Sequence, residues 1–125
     1  MLVRAYSFTS KPIAEALVRA HQRGVKISVI LDKSQRTEKY TEADFIANYG
    51  IPTYIDDKHA IAHSKIMIID ASTIITGSFN FTTSAELHNA ENLLIIRDSD
   101  LALTYMRNWE VHFKHSDPYA GRGTR

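Results

Sequence analysis

No cysteine occurs among the 125 residues, which excludes disulfides, thiolate metal sites and thiol nucleophiles. An excess of either charge is also missing. Fifteen lysines and arginines face fourteen aspartates and glutamates for a formal net of +1, so affinity for a polyanion must come from local groups rather than an overall field. Apolar runs are short and interrupted by charge, far from the ~20 residues that a membrane-spanning helix needs. The five glycines and three prolines are too few for a fibrous or low-complexity chain. Met1-Leu2-Val3-Arg4 lacks the charged-then-apolar layout of a signal peptide. The sequence leaves the compartment open: a periplasmic or secreted protein is expected if a signal peptide precedes this segment, and a cytoplasmic one otherwise. What remains, 44% hydrophobic and 23% charged residues, is the composition of one globular domain with a real core.

The patterning alternates strand and helix. Leu2 to Phe8 is rich in strand formers, and Ser10 is placed to cap a helix with Pro12 in its first turn. Ile13, Leu17 and Ala20 recur at helical spacing up to Arg23, before Gly24 at the position of a left-handed C-terminal residue. Val25 to Leu31 reads as a buried strand, giving a β-α-β crossover. A polar loop from Asp32 to Tyr40 precedes a second helix, which a Thr41/Asp44 capping box is expected to open and Gly50 to close. Strands follow near 51–55, 61–69, 73–77 and 91–97, the middle two joined by a tight Asp70-Ala71-Ser72 connection. A final helix from about Ser99 to Lys114 carries Leu101, Tyr105, Trp109 and Phe113 as a core stripe. The expected organisation is one catalytic domain over 1–115 and a flexible, mildly basic tail over 116–125.

Chemistry concentrates in His63-Ser64-Lys65 and the residues after it. Alternation along a strand puts His63 and Lys65 on one side, about 7 Å apart, within reach of a single phosphate. Gly77-Ser78-Phe79-Asn80 ends the next strand: small residues there let backbone N–H groups approach an anion, Ser78 included, and Asn80 can donate an amide hydrogen bond to it. Glu91 opens the following strand, placed to accept from a ring nitrogen of His63. With 6 histidines, seven lysines and eight aspartates in the chain, shuffling yields roughly 0.02 occurrences of His-x-Lys-x4-Asp, so accident explains the pattern poorly. Blander readings lose by comparison. His59 and His63 have the i, i+4 spacing of zinc ligands on a helix, but on a strand they stand about 13 Å apart. Asp56-Asp57 reads as a solvated turn, with no third acidic ligand nearby. No metal site and no cofactor is expected.

His63-x-Lys65-x4-Asp70 followed by Gly77-Ser78-x-Asn80 resembles the signature of the phospholipase D superfamily, and the chain looks most like its small bacterial endonucleases that carry one such motif. The similarity extends over Ala5-Tyr6-Ser7-Phe8-Thr9, Arg23-Gly24-Val25, Gly50-Ile51-Pro52 and Glu91-Asn92. It implies an α/β fold, a mainly parallel or mixed central sheet flanked by helices, here without the strand and helix that usually come first. It also implies catalytic roles: His63 as nucleophile, Lys65 and Asn80 on phosphate oxygens, Glu91 orienting the histidine, and Asp70 structural or tuning.

Phosphodiesters resist attack because the anion repels nucleophiles and the leaving alkoxide is strongly basic. Neutral imidazole answers the first difficulty, and Lys65, Asn80 and backbone amides supply charge in place of a metal. A protonated acid must also stand opposite the nucleophile, and one histidine cannot hold both positions. With one motif per chain, a homodimer with the active site on its two-fold axis is the expected solution. The function expected is a metal-independent, nonspecific endonuclease acting on DNA, with RNA as a second substrate, through a phosphohistidine. The alternatives are a phospholipid-cleaving enzyme and a non-catalytic phosphate- or nucleic-acid-binding module.

Overall fold

In a computed structural model, which describes residues 1–6, 8–36, 41–56, 65–77 and 93–119, the first strand, β1 (Leu2–Ala5), shows how the layers are built. Its alternate residues face opposite sides. Val3 and Ala5 enter one apolar cluster, while Leu2 packs against a second cluster on the other face. Two parallel crossovers follow: α1 (Lys11–Gln22) leads to β2 (Ser28–Asp32), and α2 (Ala43–Asn48) leads to β3 (Thr53–Asp56). Both helices cover the Val3/Ala5 face, through Ala14, Leu17 and Val18 of α1 and Ala43 and Ile46 of α2. They stop in the same way. Gly24 and Gly50 have φ of +93° and +90°, and the next residue in each case, Val25 or Ile51, donates its N–H to Ala20 or Ile46 at 3.1 and 3.2 Å. This is the left-handed glycine termination foreseen at both sites, and it delays β2 and β3 by two or three residues relative to the sequence pattern.

The remaining strands are antiparallel: β4 (Lys65–Ile69), β5 (Thr73–Gly77) and β6 (Leu93–Arg97) extend the sheet beyond β1. Helix α3 (Ser99–Phe113) then crosses the second face, where Ala102 and Trp109 pack with Ile30, Ile68 and Ile74. The Trp109 indole N–H donates to the Val3 carbonyl at 3.0 Å, tying the helix to the centre of the sheet. With a last short strand, β7 (Ser116–Pro118), the order is β6-β5-β4-β1-β2-β3-β7, a mixed sheet with helices on both sides, in agreement with the fold expected.

Three expectations fail locally. Residues 116–118, placed in a flexible tail, form β7 (Ser116–Pro118), antiparallel to β3, and Tyr119 donates its N–H to the Thr53 carbonyl and its hydroxyl to Asp44; residues 120–125 lie outside the described part. The Thr41/Asp44 capping box does not form. Glu42 is the N-cap without a side-chain bond, Asp44 is engaged by Tyr119, and the Thr41 hydroxyl, which accepts from Ala43 N–H at 3.2 Å, donates to Gln35 Oε1 at 2.7 Å. The polar loop after β2 begins with a 3-10 turn, Lys33–Arg36, in which Gln35 is buried and its Oε1 accepts the Phe8 N–H. That bond, with Glu42 N–H on the Phe8 carbonyl at 2.8 Å, turns the chain away from the ladder and ends β1 at Ala5.

The β4–β5 connection carries measurable strain. Asp70 and Ala71 both have φ of +55°, and Ser72 N–H closes on the Ile69 carbonyl at 3.1 Å, the two positive φ values of a type I′ hairpin turn. Aspartate tolerates this region, whereas alanine is opposed by its Cβ by about 1 to 2 kcal/mol. Ala71→Gly is expected to stabilise the fold by roughly 0.5 to 1 kcal/mol after the greater unfolded-state freedom of glycine is deducted. Urea unfolding followed by circular dichroism checks this, and an unchanged or lower midpoint would contradict it.

Candidate active site

Strand direction decides where the motif residues gather. The parallel strands β1, β2 and β3 end at Ala5, Asp32 and Asp56, and antiparallel pairing of Lys65 with Ala5 brings the start of β4 to that same end of the sheet. The Ile66–Thr76 pair places Gly77, one step on, level with Lys65, and Gly77 itself pairs with Leu93. Three neighbouring strands about 4.8 Å apart therefore present Lys65, the head of the Gly77-Ser78-Phe79-Asn80 run, and the residue two after Glu91. His63, Ser78, Asn80 and Glu91 lie outside the described residues, as do His59 and Asp57; for Lys65 the backbone alone is described.

Asp70 is at the other end of the molecule. It is exposed, in the type I′ turn, and the length of β4 puts it roughly 16 Å from Lys65. That end is tied together independently. Asp98 N–H donates to the Ser72 carbonyl at 2.9 Å, and the Asp98 carboxylate caps α3 by accepting from Asp100 and Leu101 N–H at 3.0 and 3.1 Å.

The end of the sheet where β1, β2 and β3 terminate contains charges that sequence reasoning missed. Asp56, read as part of a solvated turn, is the last residue of β3 and fully buried. Its Oδ2 is 3.3 Å from His112 Nδ1 on α3 and 3.9 Å from Arg4 Nη2 on β1. Asp32, its register partner on β2, is also buried and accepts the Ser34 N–H at 2.9 Å. Burial holds the Arg4 guanidinium below its ordinary range, with the Asp56 charge opposing that shift. A signal was available for Arg4, a charged residue inside the otherwise apolar strand Leu2–Ala5, whereas Asp56 stands just beyond the strand expected over 51–55.

The family described as cardiolipin synthase, PLD-like domain, matches residues 1–115. The chain belongs to the phospholipase D superfamily. Within it, the chain is 42% identical over 107 residues to a phospholipase D of Rickettsia felis, covering 86% of this chain and 54% of that protein. It is 31% identical over 113 residues to the mouse mitochondrial cardiolipin hydrolase, covering 90% of this chain and 51% of the relative. The chain thus spans about half the length of these curated relatives. The fold is similar to that of Nuc from Salmonella typhimurium, a phospholipase D family member, with a TM-score of 0.90 and 38% identity over 94% of this chain and 79% of Nuc. NucT from Helicobacter pylori shares the fold at a TM-score of 0.88 and 23% identity, over 94% of this chain and 80% of NucT.

Proposed function

We propose that this chain is a metal-independent phosphodiesterase that cleaves nucleic acid, DNA in the first place, through a covalent phosphohistidine on His63. The observation that carries this reading is the convergence of the Lys65, Gly77 and Leu93 positions at the end of the sheet where β1, β2 and β3 terminate. The carboxyl ends of parallel strands are where open α/β sheets receive ligands.

In the proposed reaction neutral His63 attacks phosphorus and the alkoxide departs with a proton from the His63 of a second subunit. Water, deprotonated by that second histidine, then displaces His63 from the phosphorus and yields the phosphomonoester. Lys65 and Asn80 stabilise the charge on the non-bridging oxygens in both steps, with the Ser78 amide region beside them, and Glu91 orients the imidazole. Asp70 contributes through the hairpin turn. A homodimer with its two-fold axis through the site supplies both histidines.

The similarity to Nuc supports the nucleic-acid reading. A phospholipid-cleaving activity is the second reading, favoured by relatives that carry the names phospholipase D and cardiolipin hydrolase. Plasmid, single-stranded DNA, RNA and phosphatidylcholine or cardiolipin vesicles, each incubated with purified protein in excess EDTA, separate the two. DNA hydrolysis at an undiminished rate in EDTA is expected, because Lys65 already supplies the positive charge a metal would bring. Rates lost on chelation and restored by magnesium would remove the mechanism, turnover of lipid alone would select the second reading, and turnover of nothing would leave a phosphate-binding module.

A further inference from the structure

Buried charge is expensive unless it is paired, and a buried ion pair is rarely more stabilising than apolar residues of the same volume. Its presence in a core asks what its geometry fixes. Asp56 is fully buried on the α3 face, between Arg4 of β1 and His112 of α3. A carboxylate accepts hydrogen bonds only, so the 3.3 Å contact requires the proton on Nδ1 of His112. The helix end that carries His112 is itself fixed. Ser116 Oγ donates to the His112 carbonyl at 2.8 Å, and Ser116 pairs with Asp56 in the β3–β7 ladder. Phe113, the next residue, packs against Tyr54 of β3 and Trp109 with ring centroids 4.7 and 5.3 Å apart. The charged groups that face Asp56 come from three neighbouring elements, Arg4 on β1, Asp32 on β2 and His112 on α3, while β7 sets Ser116 beside it and turns Asp117 to the other face with Ile55.

Asp56 is also the last β3 residue before 57–64, the segment that delivers His63 to β4. We propose that Arg4, Asp56 and His112 are positioning residues that clamp the point where the His63-bearing segment leaves the sheet, holding it in fixed relation to β1 and α3. The inference rests on the reading of His63 as nucleophile, and it adds three residues that touch neither substrate nor phosphorus. A clamp of this kind acts on kcat rather than on KM, because a misplaced nucleophile still lets the phosphate bind.

His112→Phe keeps an aromatic ring and removes the donor, whereas His112→Asn retains a donor close to the position of Nδ1. With DNA in EDTA, His112→Phe is expected to lower kcat by about 10-fold to 100-fold with KM changed less than about 3-fold, and His112→Asn to recover most of the loss. Amide hydrogen exchange supplies a readout that does not depend on turnover. In His112→Phe, exchange is expected to rise in the peptide spanning 53–64 and to stay unchanged in α1 and in β5. Asp56→Asn, of equal size, is expected to repeat both results and stands in if His112→Phe does not fold. Exchange that rises uniformly across the molecule, kcat and exchange both unchanged, or failure of both variants to fold would each reduce the trio to a structural ion cluster and overturn the proposal. A wild-type chain inert towards every diester would instead defeat the assignment of His63, and the exchange result would still decide the clamp.

Discussion

His63→Ala is expected to reduce hydrolysis of DNA by about 10⁴-fold or more, because in the proposed two-fold symmetric site one substitution removes both the proposed nucleophile and the proposed proton donor. The fold should survive it. The two apolar clusters that hold the sheet between its helices are built from residues such as Val3, Leu31, Ile55, Ile68 and Trp109, and the substitution alters none of these. Affinity for DNA should fall by less than about 3-fold, since the proposed phosphate ligands Lys65 and Asn80 are left in place. Single-turnover cleavage of a labelled duplex, with binding measured separately by anisotropy, tests both statements. Retention of a tenth of the wild-type rate would assign the nucleophile elsewhere, and loss of binding in parallel with rate would make His63 a ligand for the phosphate instead.

Mixing wild-type and His63→Ala chains gives the second large effect. If each site draws one histidine from each subunit, a mixed dimer has a nucleophile or an acid but never both, and it is inactive. Activity then follows the square of the wild-type fraction, about 25% of full activity at equal mixing, where independent sites would give about 50%. DNA is the substrate required, because an aryl phosphodiester leaves without protonation and would let one histidine complete the first step. Co-refolding from denaturant makes the exchange of subunits complete. A linear dependence on wild-type fraction would place the whole site within one chain.

The parts of the fold that sequence made legible are those governed by local chemistry. Ser10 caps α1 by accepting the Ile13 N–H at 3.5 Å, Gly24 ends that helix at φ +93°, and Asp70-Ala71-Ser72 turns the β4–β5 hairpin, because each of these depends on a few consecutive residues. β7 was illegible for the opposite reason. Ser116-Asp117-Pro118 has no strand preference of its own and is made a strand by the open edge of β3, where proline's missing N–H is harmless. Thr41 was misassigned because its hydroxyl is shared with Gln35, six residues earlier, a partner that no capping pattern contains. In the site, residue types and spacing named His63, Lys65, Asn80 and Glu91. The strand expected over 61–69 already set Asp70 in the turn beyond it, and pairing register added that Lys65, Gly77 and Leu93 gather at the opposite end. Asp56 escaped because two adjacent aspartates look solvated until the sheet shows that one of them points inward.

The separation of Asp70 from Lys65 by the length of β4 gives the molecule a back and a front that can be altered separately. The exposed hairpin at Asp70 and Ala71 is a point of attachment facing away from the proposed substrate, and in a chain without cysteine a single thiol introduced beside that turn would be the sole site for a fluorophore or a surface linker. Tethered there, the protein would offer its proposed catalytic end to solution, and the immobilised protein could be washed and assayed without the label approaching the bond being cut.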